Sequence, residues 1–403
     1  MLRKDFDCTV FTAEPTEFQR KEAEGICKLE TLPGDDSRFG LFLDRLEGGE
    51  TVVLDNYFYT DEYIGEIKAK GCKTVLIQDF FGKATAADAM ILPCRNPRWA
   101  LLREPFIDGD HADVREKGLW VVAIGATDPL GLTGRFVRAL EKRGRKVSVL
   151  SGGMGAREVA ELFRRAEGVV CSASSVCNEA LACGCRVCAG WYVDNQKDFY
   201  SVLCRMNLIL PLGKLQDAAL PDELDNAPDG GAVSDSFRAA PRNCRALFHA
   251  LELEMVNYTA LSDRQILEVW EARNREEIRR YMTNPDPIPF EDHMKFIGSL
   301  ATRKDKLYYA FFKNGEFVGS IDFVGMVPGE SAERGLYVAP EWQGRGIAAA
   351  MDCLMDSEAA KLGLGTLRAE VLGNNARSLA FHRSMGYEVT GEKDGMLYLQ
   401  KVL

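Results

Sequence analysis

Leu336-Tyr337-Val338-Ala339-Pro340-Glu341-Trp342-Gln343-Gly344-Arg345-Gly346-Ile347-Ala348 sets the architecture of the second half of this chain. A β-prone run ends in a short polar turn, and the turn opens a long helical run that closes at Gly363. Glycines at 344 and 346 let the backbone approach a phosphate closely. The N–H groups at the start of the helix then face the anion, and Arg345 adds a fixed positive charge. A Gly-rich turn before a helix is a weak signal alone, so its flanks decide what it means.

Upstream, Lys306 to Met326 holds Asn314-Gly315 between two apolar-aromatic runs, a hairpin signal. Before it come a strand, VNYTALS (256–262), one or two helices from Asp263 to Met282, and a helix from Phe290 to Arg303. Downstream lie a strand (TLRAEVL, 366–372), a helix (NARSLAFHRSMG, 375–386) and a final strand, MLYLQKV (396–402). Strands around an antiparallel meander with helices between them make an α+β domain that starts near Glu254.

Over its whole length this domain resembles the GNAT N-acetyltransferases. Gln343, Gly344, Arg345, Gly346, Ile347 and Ala348 fit the family's pyrophosphate loop, Q/R-x-x-G-x-G/A. Leu336, Tyr337 and Val338 fit the strand that pairs with the pantetheine arm. Asn374, Asn375, Arg377 and Ser378, then Phe381-His382 and Gly386-Tyr387, fit the N-x-x-(A/S)-x-x-F-Y-x-x-x-G-(F/Y) element. The resemblance implies acetyl-CoA as co-substrate, with Asn375 and Ser378 at the cofactor and no metal. The position of His382 is commonly Tyr and often serves as general acid toward the departing thiolate; a histidine of near-neutral pKa can donate that proton, which makes His382 a candidate catalytic residue, the alternative being a His that caps or packs on the helix. A backbone N–H near Tyr337 fits an oxyanion donor. Glu333 and Glu370 are candidate bases, each equally readable as a solvated surface acid.

The start of this domain narrows the acceptor. Arg273-Asn274, Ile278-Arg279, Tyr281-Met282, Glu291, His293 and Phe296-Ile297 resemble the acetyltransferase of pseudaminic acid biosynthesis, whose members carry W-R-N, I-R-x-(W/Y)-M and E-x-H-x-x-F-I in this order. Trp270 is displaced from the family's Trp and takes no role. The resemblance implies Arg273 and His293 toward the nucleotide or its phosphates, with Tyr281, Met282, Phe296 and Tyr337 around a 6-methyl sugar. The reaction implied is acetylation of the 4-amino group of a UDP-linked 4-amino-4,6-dideoxy-N-acetyl-hexosamine of the altrosamine type. Aromatic and Met residues at helical spacing are more often core than ligand contacts; the accompanying Arg and His make core packing an incomplete explanation.

The first half alternates strands and helices, as a parallel, doubly wound sheet does. Gly125 to Pro129, Ser172 to Leu181 and Asp194-Asn195-Gln196 each follow a strand, so their polar groups converge on one crevice. From about residue 8 to 212 this half resembles the UDP-sugar hydrolase of the same pathway, a relative of GT-B glycosyltransferases, through LDNY (54–57), LLREPF (101–106), GATDP (125–129), SASSVCNEAL (172–181) and DNQ (194–196). The resemblance implies Glu179 at the ribose, Ser174 and Ser175 at the phosphates, Gly125 and Thr127 in a diphosphate turn, and Tyr57, Asn195 and Gln196 toward the sugar. The family's G-H-x-x-R loop, whose His activates the attacking water, has no counterpart here; the four histidines are His111, His249, His293 and His382. About one βα unit of ~30 residues is expected to be missing from the first lobe. Residues 215–241, rich in Asp, Pro and Gly, read as a linker, followed by a closing helix from Arg242.

The expected architecture is therefore two α/β, GT-B-like Rossmann-type lobes, 1–107 (N-terminally incomplete) and 108–252, then an α+β GNAT domain, 253–403. Three functions stay open: an acetyltransferase fused to a hydrolase-like module without its catalytic His, a bifunctional hydrolase and acetyltransferase with a truncated N-terminus, and a GNAT enzyme acting on a protein N-terminus. The partners expected are acetyl-CoA and a UDP-amino sugar, with a homodimer left open.

Composition bounds these readings. With 403 residues and 46% hydrophobic content, two or three globular domains are expected. A net charge of −10 without a Lys/Arg-rich run argues against nucleic acid or an anionic membrane as partner. The start MLRKDFDCTVF is too polar for a signal peptide and no apolar run reaches a membrane-spanning length, so a cytoplasmic protein is expected. Five cysteines gather at 171, 177, 183, 185 and 188; with only one C-x-x-C, they read as reduced, buried thiols.

Overall fold

The structure, a computed structural model, describes residues 6–403 except 57, 79–85, 95, 108–114, 126, 127, 129, 151, 233 and 283, and leaves the side chains of 18, 232, 235, 236, 238 and 239 undescribed. Tyr57 and Thr127 lie outside the described residues. The chain divides into two units, 1–78 with 84–91, and 79–83 with 92–403.

The first unit is α/β. Strands β1 (Thr9–Ala13) and β2 (Lys28–Leu32) pair in parallel around α1 (Glu17–Ala23), whose N-cap Thr16 and Gln19 form a reciprocal capping box. After α2 (Ser37–Leu43), strands β3 (Thr51–Asp55), β4 (Lys73–Ile77) and β5 (Ala89–Ile91) form a second parallel sheet, with α3 (Asp61–Ala69) between β3 and β4.

The second unit opens with a parallel lobe: β6 (Glu116–Ala123), α4 (Thr133–Glu141), β7 (Lys146–Val149), α5 (Ala156–Arg165), β8 (Ala166–Ser172), α6 (Ser175–Ala182), β9 (Arg186–Trp191), α7 (Lys197–Arg205) and β10 (Leu210–Lys214). The strand order is β10-β9-β8-β6-β7, all parallel, so the winding reverses between β6 and β8. Strand β6 is apolar from Leu119 to Ala123 because both its faces are covered there: Leu119, Val121 and Ala123 pack on one side, Trp120 and Val122 on the other. Gly168 on β8 leaves room for the Trp120 ring, which a Cβ there would meet at 2.6 Å.

The segment expected as a linker is partly helical. Helix α8 (Ser234–Ala250) begins eight residues before Arg242 and carries Pro241 inside it. Phe237, Ala240, Cys244 and Leu247 are all buried, so an apolar stripe at helical spacing runs through the proline. That stripe overrides the breaking signal of Pro and Gly.

The last part holds β11 (Glu254–Asn257), α9 (Asp263–Asn274), α10 (Glu276–Arg279), α11 (Phe290–Leu300), β12 (Lys306–Lys313), β13 (Glu316–Val327), β14 (Ser331–Val338), α12 (Ile347–Lys361), β15 (Thr366–Leu372), α13 (Ala376–Ser384), β16 (Glu388–Lys393) and β17 (Met396–Val402). Asn314 and Gly315, with φ of 52° and 80°, make the expected tight hairpin turn. The first strand is shorter than read, because Tyr258–Ala260 turn as a 3-10 helix behind an Asn257 cap. Strand β16 was not legible in the sequence: it lies exposed on the sheet edge and pairs with β17 around Asp394-Gly395. The seven strands run β11-β12-β13-β14-β15-β17-β16, and only β14 and β15 pair in parallel. No helix of the described residues is long and apolar enough to cross a membrane.

Candidate active site

The site is built where the last sheet opens. Strand β14 pairs with β13 along its length, from Ser331 to Val338, and β15 pairs with β17 from Thr366 to Leu372. Between β14 and β15 the pairing covers only Ser331↔Thr366, Ala332↔Leu367 and Glu333↔Arg368. Beyond Glu333 the strands part, so the β15-facing backbone groups of Arg334 to Val338 have no strand partner. Unpaired strand groups in a sheet interior need a partner, and an extended amide-bearing chain laid into the slot supplies one. Leu336, Tyr337 and Val338 lie along this edge.

The slot runs up to the N-terminus of α12. Gly346 is the helix N-cap with φ 79°, and Gly344 has φ 76°. A Cβ at either would meet nothing within 4 Å, so packing does not require glycine there; backbone conformation and open space above the loop do. Gln343 is held in place: its Nε2 donates to Val338 O at 3.0 Å and its Oε1 accepts from Arg377 Nη1 at 2.9 Å. Arg345 lies over the Trp342 ring, 5.2 Å from its centroid. Ile347 is buried while Ala348 is partly exposed. The open glycine turn, the free first N–H groups of a fifteen-residue helix and Arg345 suit a diphosphate.

Asn375 caps α13, its side chain accepting the Ser378 N–H at 3.1 Å. His382, one turn on, is buried, with Nδ1 2.7 Å from Ser378 O. Burial, then the Arg334 charge, lowers its pKa to about 4. At neutral pH the imidazole is therefore uncharged, with Nδ1–H donated to a carbonyl and Nε2 an acceptor. In that state its one proton is held by the Ser378 carbonyl and Nε2 has none to give a thiolate, the arrangement of a packed helix histidine rather than of a general acid.

The opposite face of the sheet carries a second set of groups. Tyr308, Asp322 and Gly335 stand side by side across β12, β13 and β14; Ala310, Ser320 and Tyr337 form the next row. Tyr258 and Ser320 share a hydrogen bond of 2.8 Å. Phe296 from α11 meets Tyr308 edge to face at 5.0 Å, and Phe317 lies 6.1 Å from Tyr337. Against this aromatic wall stand Arg273 from α9 and His293 from α11. Buried Nη1 of Arg273 and Nε2 of His293 have no hydrogen-bond partner among the described residues, while the Tyr337 hydroxyl is turned toward that of Tyr258. Burial lowers the pKa of Arg273, and burial with the Arg273 charge lowers that of His293. Unpartnered buried polar groups are costly, and two side by side on one wall point to a polar ligand.

The loop before α11 is tied down by two residues the sequence reading gave no role. Trp270 Nε1 donates to Ile288 O at 2.7 Å, and Asn274 exchanges hydrogen bonds with Ile288 at 2.7 and 2.9 Å. Tyr281 is exposed under Arg280 and Met282 is partly exposed; neither joins the buried wall. Glu333 sits at the last paired position of β14, opposite Arg368, its pKa raised by burial and then by the Glu370 charge.

Residues 268–387 match the Acetyltransferase (GNAT) family. The C-terminal part of this chain has the GNAT acetyltransferase fold. It is an acetyl-CoA-dependent N-acetyltransferase. Two Campylobacter jejuni proteins, each described as acetyltransferase PseH, are similar to it: one is 27% identical over 147 residues (36% of this chain, 92% of the relative), the other 28% identical over 140 residues (35% and 87%). The crystal structure of Campylobacter jejuni N-acetyltransferase PseH in complex with acetyl coenzyme A matches with 25% identity, covering 37% of this chain and 98% of that one, at a TM-score of 0.31. Acetyl-CoA is the co-substrate of this chain.

In the parallel lobe, three loops expected to converge leave neighbouring strands at the same end. Gly125 follows β6, and the Tyr192 hydroxyl after β9 lies 3.2 Å from where a Gly125 Cβ would be. After β8, Ser172 and Ser174 hydroxyls are 3.2 Å apart, and Ser174 is the N-cap of α6, with Ser175 exposed. After β9, Gln196 Oε1 accepts from Tyr192 N at 3.1 Å and Asn195 is exposed. Trp191, Tyr192, Asp194, Lys197, Lys214 and Gln216 line a cleft of about 400 Å³ beside them. Glu179 is buried and not free: Arg103 grips it bidentately at 2.9 and 3.2 Å. The five clustered cysteines are buried, burial raising Cys183, Cys185 and Cys188, and among the described residues no group of three or more His, Cys, Asp or Glu has metal-site geometry.

Proposed function

We propose that this enzyme transfers the acetyl group of acetyl-CoA to the 4-amino group of a UDP-linked 4-amino-4,6-dideoxy-N-acetyl-hexosamine, a step of pseudaminic or related nonulosonic acid synthesis. The observation that carries the reading is the pocket wall on which Arg273 Nη1 and His293 Nε2 are buried without partners beside Phe296, Tyr308 and Tyr337. A guanidinium and an imidazole suit phosphate or hydroxyl oxygens, and the aromatic wall suits a 6-methyl sugar face. Likeness to the Campylobacter acetyltransferases supports the same reading.

The chemistry needs a neutral amine at the thioester carbonyl. Acetyl-CoA supplies an activated acyl group. The pantetheine arm lies against Leu336 to Val338 and the diphosphate against the 343–348 turn, which places the thioester where β14 and β15 part. A backbone N–H on the β15-facing edge of β14 stabilises the oxyanion. Attack forms the C–N bond, the C–S bond breaks, and the thiolate takes up a proton.

The preceding residues are read as GT-B-like lobes spanning 1–107 and 108–252, the second binding a UDP-sugar with its phosphates near Ser174 and Ser175. The order β10-β9-β8-β6-β7, with polar groups after β6, β8 and β9, supports nucleotide binding at the point where the winding reverses. Ribose binding at Glu179 requires Arg103 to yield. A hydrolase activity of this half is the reading with least support, because no histidine stands in a Gly-rich loop of the sequence.

Thiol detection of free CoA during incubation with acetyl-CoA and the UDP-4-amino sugar tests the main reading. Turnover with N-terminal peptides but not with the sugar contradicts it. UDP release from the acetylated product tests the hydrolase reading separately.

A further inference from the structure

We propose that Asp322 is the base that takes the proton from the acceptor ammonium, resting on the reading of this pocket as the acceptor site but not on which amine fills it. Its position on β13 is central. It faces Tyr308 on one side and Gly335 on the other, on the same sheet face as Tyr258, Tyr337 and Arg273. Gly335 is the second residue past the point where β14 and β15 stop pairing. A Cβ at Gly335 would meet Asp322 Oδ2 at 2.6 Å and Oδ1 at 2.9 Å. The carboxylate therefore lies across the bare backbone of β14, at the mouth of the slot that holds the thioester. No side chain other than glycine leaves that path open.

The surroundings keep this carboxyl basic. Removal from water raises its pKa to about 7; Arg334, the Gly335 N–H and Lys306 oppose the rise, and Glu333 adds to it. Tyr258, Tyr308, Tyr337 and Arg273 complete the titratable groups that face it. A base is most effective when its pKa lies near the working pH. The rivals are less well placed. His293 lies beside the Arg273 charge, which lowers its basicity, and Glu333 sits on the paired part of β14, before the slot opens.

The step balances without any further reagent. The Asp322 carboxylate takes one proton from R–NH3+, and the resulting amine forms the C–N bond. Collapse of the tetrahedral intermediate breaks the C–S bond, and the departing sulfur takes the second amine proton as CoA-SH. The Asp322 carboxylic acid returns its proton to water.

The test is the pH dependence of kcat/KM for the amine acceptor in the full-length protein and in Asp322→Asn, with acetyl-CoA affinity measured on both. The wild type is expected to show an acidic limb near pH 7. Asp322→Asn is expected to keep acetyl-CoA affinity, lose about 100-fold or more in kcat/KM at pH 7, and follow only the fraction of acceptor already neutral. An Asp322→Asn protein that binds acetyl-CoA and retains the wild-type limb overturns the proposal, as does loss of that limb in Glu333→Gln instead. If the variant does not fold, the wild-type profile decides: no ionisation between about pH 6 and 8 overturns it. Absence of wild-type turnover with the UDP-amino sugar, but not with another amine, contradicts the substrate reading and leaves Asp322 testable on that amine.

Discussion

Arg98 places Nη1 3.1 Å from Oδ2 of Asp352, a contact between residues 254 positions apart in the chain. The same guanidinium lies 3.1 Å from Asp356 Oδ2 and donates to Met385 O at 2.6 Å. Lys401 pairs with both carboxylates, and Arg334 stands 3.5 Å from Asp352. All five side chains are buried. Arg98 belongs to the turn Pro97–Trp99, ahead of the parallel lobe; Asp352 and Asp356 lie on α12, which the 343–348 turn opens, and Arg334 lies on β14. Asn96 adds a 2.6 Å hydrogen bond to Val402 O, and Asn243 on α8 donates to Arg98 O at 3.1 Å. The acetyltransferase domain is thus stitched to the chain before it through one buried charge cluster.

Three cations face two carboxylates in that cluster, so the two kinds of partner are not equivalent. Asp352→Asn leaves three buried cations around one carboxylate and is expected to destabilise the protein by about 3–5 kcal/mol. Arg98→Met leaves two against two and is expected to cost less. Urea unfolding of both variants checks the order; equal loss contradicts it.

The same cluster sets a pH dependence. The Lys401, Arg334 and Arg98 charges outweigh burial and hold the Asp352 carboxyl well below the usual range. A carboxyl depressed in the fold contributes stability above its unfolded pKa of about 4, and that contribution is lost as pH falls toward the folded value. The urea midpoint is expected to fall from about pH 5 downward in wild type and less steeply in Asp352→Asn.

His382 gives a prediction of the opposite chemical type. Its pKa of about 4 lies below the ordinary ~6.5 for histidine, so the fold favours the neutral ring. Its contribution is full above about pH 6.5 and fades as pH falls toward 4. An NMR titration is expected to show no ionisation of this ring between pH 6 and 9. A midpoint near 7 restores it as a candidate acid.

Gly346→Ala tests the diphosphate turn. The substitution forces a side chain into a left-handed backbone at φ 79°, at roughly 1–2 kcal/mol, in a space that is otherwise open. Acetyl-CoA is expected to bind about tenfold more weakly, with little change in acceptor KM. An unchanged acetyl-CoA KM contradicts the role of the turn.

Legibility in the sequence followed the range of the interactions. The 343–348 turn, the Asn314-Gly315 hairpin and the alternation behind β6 to β9 are local patterns, and each was readable. Helix α8 was misjudged at its start because Pro241 and the preceding glycines are local signals, whereas burial of Phe237 and Ala240 is tertiary. The edge strand β16 has no buried face and hence no periodicity to read. Of the residues that the resemblance implies for the acceptor, Arg273, His293 and Phe296 stand together on one wall, while Tyr281 lies in solvent. The proposed base Asp322 carries no local signal, since one acid in a β-strand is unremarkable until the glycine opposite is known to lie where two strands part. The Arg98 cluster joins segments 254 residues apart and left no local trace.

Acetyl transfer to the amino sugar is tested by steady-state CoA release by the full-length protein with acetyl-CoA and a UDP-linked 4-amino-4,6-dideoxy-N-acetyl-hexosamine, run beside Arg273→Lys. Wild type is expected to turn over, and Arg273→Lys to raise the acceptor KM about tenfold or more with acetyl-CoA KM unchanged, since an ammonium cannot replace the guanidinium fork. No CoA release with the sugar alongside turnover of peptide amines, or an acceptor KM indifferent to Arg273, would contradict it.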